Sequence, residues 1–248
     1  MSHRLSIIIP VYNEAATAAT LLQKVAAISL PGIEKEIIAI ESNSTDGSRA
    51  LIQKLEADGV LKAIYEDRPQ GKGHAVKAGF ARATGEWILI QDADLEYDVQ
   101  DYPALLAPLQ QGNAFVLGSR HMGKKDWRYR RIGAGRWVGP LIDIGAGLFT
   151  HFFNLLYGTS LTDPCTMYKV FRRDCLDGIT LVSNGFELDL EIVGKFVLKG
   201  HIPIEVPVRY QSRNYAEGKK VRIWRDGVRV LIAIFWFRFS PLGPSGTT

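Results

Sequence analysis

Two hydrophobic rhythms alternate along the first 120 residues. Short, nearly continuous apolar runs appear at Leu5–Val11, Glu36–Ile40, Val60–Tyr65, Trp87–Ile90 and Ala114–Gly118. Between them, apolar positions return every three or four residues: Leu21, Leu22, Val25 and Ile28; Leu51, Ile52 and Leu55; Tyr102, Leu105, Leu106 and Leu109. The first rhythm predicts strands buried on both faces, and the second predicts helices with one apolar face. A further helix is expected from Lys72 through Ala83, and Asn13 stands where it can cap the first helix. Strand and helix alternating over short connections predict right-handed βαβ units and a mostly parallel, Rossmann-like sheet flanked by helices.

After Arg120 the rhythm changes. Residues 137–158 form a gently hydrophobic, glycine-punctuated stretch carrying Asp143, His151 and Asn154, too polar for a membrane span. It fits either a helix in a membrane interface or a core helix. Glu187–Lys199 repeats with helical spacing through Leu188, Ile192, Val193, Phe196 and Val197. Ile202–Tyr210 alternates with period two and contains Pro203 and Pro207, which predicts an edge strand. Gly227–Phe239 is apolar and aromatic with Arg229 and Arg238 near its ends, suited to interfacial docking or to packing on the domain. The expected organisation is one domain over residues 1–240, with a ligand-binding half to residue 120, a second half from 121, and a flexible tail over 241–248.

The chain has 248 residues, of which 46% are hydrophobic and 23% charged, enough for a large single core. A formal net charge of +4 conceals two basic clusters. Positions 120, 124, 125, 128, 130, 131 and 136 are Lys or Arg against one acid, Asp126; positions 209, 213, 219, 220, 222 and 225 oppose only Glu217. Such clusters favour an anionic partner. Because they fall in loops and not on a recognition helix, nucleic acid is not the expected one. Cys165 and Cys175 show no metal-ligand spacing or disulfide framework, which fits a reducing cytoplasm. The first apolar run is broken by Ser6 and Pro10 and lacks the flanks of a signal peptide, so Asn43-Ser44-Thr45 is read as an accidental sequon.

The chemistry concentrates in Gln91-Asp92-Ala93-Asp94-Leu95-Glu96, directly after the Trp87 strand. Ligands bind at the carboxyl ends of strands in open α/β sheets. If this segment stays extended, Asp92, Asp94 and Glu96 project to one side at ~6.5 Å steps. Three carboxylates there suit a hard cation such as Mg²⁺, which is typically shared with substrate phosphates.

Seven motifs in order resemble a known family: IIIPVYNE, S-x-S-T-D-G, R-P-x-G-K-G-x-A, Q-D-A-D-L-E, V-L-G-S-R, T-D-P-x-x-M-Y-K-V-F-R-R and E-V-P-V-x-Y. Together, across residues 4–240, they look like a family-2 inverting glycosyltransferase of the GT-A fold. Within it, the chain most resembles the dolichol-phosphate mannose synthases and their bacterial polyprenyl-phosphate relatives. The resemblance implies a nucleotide-diphosphate sugar donor of the GDP-mannose or UDP-glucose type. It also implies a Mg²⁺ or Mn²⁺ cofactor and a polyprenyl phosphate or other lipid acceptor, met at the cytoplasmic face of a membrane by a peripheral enzyme. Donor contacts are implied for Pro10, Tyr12, Glu14, Glu41, Asn43, Lys72, Asp92, Ala93, Arg213, Lys219 and Lys220, the last three as a closing loop. Asp94 and Glu96 with Asp92 are implied as metal ligands, and Asp92 and Asp94 as catalytic; Arg120 and Arg131 would take the acceptor phosphate and assist catalysis. Two departures stand out. Glu41-Ser42-Asn43-Ser44 replaces the family's usual Asp-Asp-Gly-Ser, which leaves the base open, and Glu96 stands where relatives often carry Gln. If the acceptor is instead a hydroxyl, Asp189 or Glu191 is the candidate base.

Three rival classes weaken on the residues. A sugar-phosphate nucleotidyltransferase needs a Gly-rich, Arg-containing loop after the first strand, where this chain has Tyr12-Asn13-Glu14-Ala15. A processive synthase needs Gln-x-x-Arg-Trp, and Arg222-Ile223-Trp224-Arg225 lacks the glutamine. An inactive nucleotide-sugar-binding protein would have no need to keep three acids and two basic loops.

Overall fold

The computed structural model describes residues 3–123, 138–213 and 232–243. A seven-stranded sheet runs in the order β3-β2-β1-β4-β6-β5-β7. Its first half follows the predicted alternation: β1 (His3–Val11), α1 (Ala18–Ala27), β2 (Ile33–Glu41), α2 (Ser48–Ala57), β3 (Lys62–Tyr65), α3 (Lys72–Arg82) and β4 (Trp87–Ile90). All pairings among β1 to β4 are parallel. Leu5, Ile7, Ile8 and Ile9 of β1 are fully buried, as are Ile88, Leu89 and Ile90 of β4, because helices cover both faces of these central strands.

The chain builds outward from β1 to β3 and then returns to place β4 on the other side of β1. The carboxyl ends of β1 and β4 therefore flank the point where the winding reverses, and loops diverging there leave a crevice. The Gln91 amide donates to Ile8 O at 3.0 Å, so the two strand ends stay paired up to the acidic segment.

The second half comprises α4 (Tyr102–Gln110), β5 (Phe115–Ser119), α5 (Val138–Tyr157), β6 (Lys169–Arg172), α6 (Leu188–Leu198) and β7 (Ile204–Pro207). A last helix, α7, spans residues 232–239. Among the described residues strand β7 pairs only with β5, consistent with the two prolines of its segment, so it is the expected edge. Strand β6 was not anticipated. It lies antiparallel between β4 and β5 in the interior of the sheet, and its four residues begin with a lysine and end with an arginine, which hides it from any hydrophobic pattern. Its place is set by its neighbours, since Trp87, Ile88 and Leu89 pair with Arg172, Phe171 and Val170.

Two local expectations are corrected. Asn13 does not cap α1; the helix begins at Ala18, with Thr17 at the cap position, and Asn13, at φ 50°, accepts the Thr45 amide through Oδ1 at 2.9 Å. The acidic segment is not extended. It turns after Ile90, with Leu95 at φ 60° and the Glu96 amide donating to Asp94 Oδ1 at 3.1 Å, so strict alternation cannot align the acids.

Candidate active site

The loops after β1 and β2 are laced together by the short side chains of the Ser44–Ser48 turn. Asn13 N donates to Ser44 Oγ (3.0 Å), Glu14 N to Ser48 Oγ (2.9 Å) and Ala15 N to Asp46 Oδ2 (2.9 Å). These bonds satisfy amides that a turn would leave open, and they fix Glu14 at the crevice. Below them Glu41, fully buried at the end of β2, accepts the Ser44 amide at 2.6 Å and faces Arg49 at 3.2 Å. Asn43 donates to Asp67 O, which ties this turn to the end of β3. Pro10 and Tyr12 flank the same opening, with Tyr12 39% exposed.

Lys72, first residue of α3, pairs with Asp92 at 2.7 Å. Burial alone would lower its pKa, but Asp92 and Asp189 together hold it above the usual lysine value. The glycines around Lys72 are explained by close approach of backbone: a Cβ on Gly71 would meet Asn184 O, and one on Gly73 would meet Ser183 O and Asn184 C at 2.8 Å. Asn184 O accepts the Gly73 amide at 2.8 Å, so the segment before α6 caps the helix that carries Lys72.

Asp94, Glu96 and Glu14 converge on one residue, Arg213. Its guanidinium donates to Glu14 Oε2 (3.0 Å) and Asp94 Oδ2 (2.8 Å), while its backbone amide donates to Glu96 Oε1 (2.8 Å). Tyr210 Oη adds a 2.6 Å bond to Glu96. Burial raises the Asp94 carboxyl to about 7, aided by Asp92 and Glu96 and opposed by Arg213. Ala93 is buried between these acids in sequence.

Arg120 stands at the end of β5. Its Nε and an Nη each reach Asp163 at 2.7 Å and its amide reaches the same carboxylate at 3.0 Å, with the guanidinium over the Tyr210 ring. Asp163 is in turn positioned by Glu205, which accepts the Thr162 and Asp163 amides. Asp163, Glu205 and the buried Lys169 were not singled out by sequence reasoning; the T-D-P motif pointed at the first without assigning it a task. Lys169 on β6 pairs with Asp189 at 3.1 Å and donates to Thr166 O. Asp189 and Lys72 line one small pocket with Gly73, Met167 and Leu188. Glu191, the other candidate base, is corrected to a structural role: fully buried, it accepts the Val182 and Ser183 amides and pairs with Lys195. Arg131, Lys219 and Lys220 lie outside the described residues.

Among the described residues, no three His, Cys, Asp or Glu side chains are arranged to hold a metal ion. The donor set nonetheless fits one. Among the described residues, the carboxylates of Glu14, Asp92, Asp94 and Glu96 pair with Lys72 and Arg213, and burial together with the neighbouring Asp92 and Glu96 raises the Asp94 carboxyl. A divalent cation would offset carboxylate charge there.

The fold is similar to that of solved glycosyltransferases. One is glucosyl-3-phosphoglycerate synthase from Mycobacterium tuberculosis in complex with Mn²⁺, UDP and phosphoglyceric acid: TM-score 0.69, 18% identity, covering 96% of this chain and 80% of that one. The fold is therefore GT-A. Residues 6–180 match the model of glycosyl transferase family 2, and the chain belongs to that family of enzymes. Two curated relatives are the dolichol-phosphate mannosyltransferase of Pyrococcus furiosus and the undecaprenyl-phosphate 4-deoxy-4-formamido-L-arabinose transferase of Enterobacter sp. (strain 638). The first is 26% identical over 223 residues, covering 88% of this chain and 60% of the relative. The second is 27% identical over 220 residues, covering 88% and 62%. The chain thus spans about three-fifths of the length of these relatives.

Proposed function

We propose that this glycosyltransferase moves a hexosyl group from a nucleotide-diphosphate sugar to a polyprenyl phosphate, with Mg²⁺ or Mn²⁺, at the cytoplasmic face of a membrane. The observation that carries this reading is that one sheet edge gathers the carboxylates of Glu14, Asp92, Asp94 and Glu96 and, at the end of β5, the Arg120 guanidinium. Glu14, Asp94 and Glu96, with Asp92, are the residues to hold the metal, which when bound would offset charge on the departing nucleotide diphosphate. Pro10, Tyr12, Glu41 and Asn43 form the nucleoside end, and Lys72 reaches the donor from the start of α3.

An acceptor phosphate has a second pKa near 6, so at neutral pH it attacks without a strong general base. Its oxygen bonds to the anomeric carbon as the bond from that carbon to the diphosphate oxygen breaks, and the configuration inverts. Arg120, oriented by Asp163, lowers the repulsion between the two anions, with Arg131 assigned to the same task by family position.

A surface for the lipid tail follows from α5 and α7. Ile232, Phe235, Trp236 and Phe239 are 52–67% exposed at helical spacing, while Ala233, Ile234 and Phe237 pack inward. Tyr157 Oη donates to Ile234 O (3.0 Å) and Arg238 Nε to Leu156 O (2.9 Å), which joins this stripe to α5 with its exposed Leu148 and Leu155. Among the described residues no helix is long and apolar enough to cross a membrane. An interfacial stripe is the arrangement that engages lipid without a span.

A second reading, transfer to a hydroxyl, is favoured by Asp189, which Lys169 holds beside Lys72 where a base would stand. The experiment incubates the protein with radiolabelled UDP- and GDP-hexoses, Mn²⁺, and either polyprenyl phosphate in anionic liposomes or soluble saccharides. Label in the lipid fraction, abolished by chelator and by Asp94→Ala, is the expected result. Label in soluble saccharide alone would overturn the lipid acceptor in favour of the second reading.

A further inference from the structure

We propose that Arg213 is a built-in competitor for the cation site, and that it makes divalent-cation binding conditional on the nucleotide diphosphate. This rests on the donor-site reading above. The first observation is placement: one guanidinium bridges Glu14 from the loop after β1 and Asp94 from the loop after β4, with Glu96 on its backbone amide. These are the carboxylates that suit the metal, and two cations cannot share them at contact distance without mutual repulsion.

The second observation is the quality of the pairing. Elsewhere in this molecule Arg120 meets Asp163 through two 2.7 Å bonds, the bidentate geometry that matches a guanidinium to a single carboxylate. Arg213 is spread over separate acids instead. Among the described residues its Nε is buried without a hydrogen-bond partner, with a Glu96 carboxylate oxygen 3.7 Å away. A buried donor left open is costly, so the acids hold Arg213 less well than a dedicated partner would. Phosphate oxygens of a nucleoside diphosphate would satisfy that donor and the rest of the guanidinium together.

Partner exchange then couples the two ligands. The diphosphate draws Arg213 off the carboxylates, the carboxylates become available to the cation, and by linkage each ligand tightens the other by the same factor. Without Arg213 the acids would be exposed to the cation at all times and the coupling would shrink.

The test is Mn²⁺ binding followed by electron paramagnetic resonance, alone and with UDP or GDP, for wild type, Arg213→Met and Arg213→Lys. The wild type is expected to bind Mn²⁺ at least tenfold more tightly with one of the nucleoside diphosphates than without. Arg213→Met should bind Mn²⁺ alone at least tenfold more tightly than wild type, with the nucleotide effect largely lost. Arg213→Lys, whose single ammonium reaches fewer carboxylates, should fall between them. If Arg213→Met shows no cooperative melt, the lysine variant decides, and no gain in Mn²⁺ affinity overturns the proposal. Equal affinity of wild type and Arg213→Met for Mn²⁺ alone overturns it while leaving the metal-dependent reading intact. Absence of Mn²⁺ binding in every variant, with and without nucleotide, sinks both.

Discussion

Replacing Asp163 with Asn probes the positioning of Arg120 by changing one atom's chemistry and almost no volume. Asp163 Oδ2 accepts both the amide and Nε of Arg120, and Oδ1 accepts an Nη. Whichever way the asparagine amide is turned, its NH₂ faces a guanidinium donor, so at least one bond becomes a donor–donor contact. Asp163 is 2% exposed and the Arg120 side chain 11%, so solvent does little to compensate the cation that remains. Removing one partner of such a buried pair costs about 3–5 kcal/mol. For a chain of this size that corresponds to a melting temperature lower by roughly 6–20 °C.

Burial by itself would raise the Asp163 carboxyl; the Arg120 guanidinium and its hydrogen bonds more than offset this and hold it below the ordinary value. Its stabilisation is therefore present above the unfolded-state pKa and lost as pH falls through the folded one. Melts by circular dichroism between pH 3 and 7 should show a smaller loss on acidification in Asp163→Asn than in wild type. The double variant Arg120→Met, Asp163→Asn, which removes the unpaired charge, should recover part of the deficit. In activity assays the single variant should raise KM for the acceptor more than for the donor. A melting temperature within about 2 °C of wild type would refute the reasoning, because the pair would then not be buried and mutually dependent.

Gly73→Ala should destabilise the protein by about 1–3 kcal/mol, because three backbone groups of residues 183–185 lie within 2.9 Å of the added carbon; unfolding in urea measures this. Donor affinity should fall with it, since the displaced segment caps the helix carrying Lys72. Glu36 makes a prediction far from the site. Burial alone would raise its pKa, but bonds from Lys62, Ser6 and Thr84 hold it down to about 2, from an ordinary value near 4.5. It should contribute up to about 3 kcal/mol above the unfolded-state pKa, lost as pH falls from roughly 4.5 toward 2, and Glu36→Gln should flatten the stability profile in that window.

The left half of the sheet was legible in the residues because each element there carries its own signal. Isoleucine-rich runs make strands buried on both faces, three- and four-residue spacing makes helices, and βαβ handedness then leaves little freedom in how they pack. The same local logic placed Asp92, Asp94 and Glu96 at a strand's carboxyl end and made β7 an edge through its prolines. Elements whose identity depends on distant partners were not legible. Lys169–Arg172 becomes a strand only because β4 and β5 leave a gap between them, and its buried lysine is tolerable only because Asp189 arrives from α6. Asn13 looked like a helix cap until Thr45 claimed its side chain, and the acids looked aligned by alternation until the chain turned at Leu95. Charge partners were the least readable of all. Arg213 lies 119 residues from Asp94 and 199 from Glu14, and no sequence spacing ties a guanidinium to a carboxylate at that separation. Sequence determined which charges this edge of the sheet would carry; their pairing was decided by the tertiary structure, because Coulomb attraction depends on distance in space and on burial, and the folded chain alone sets both.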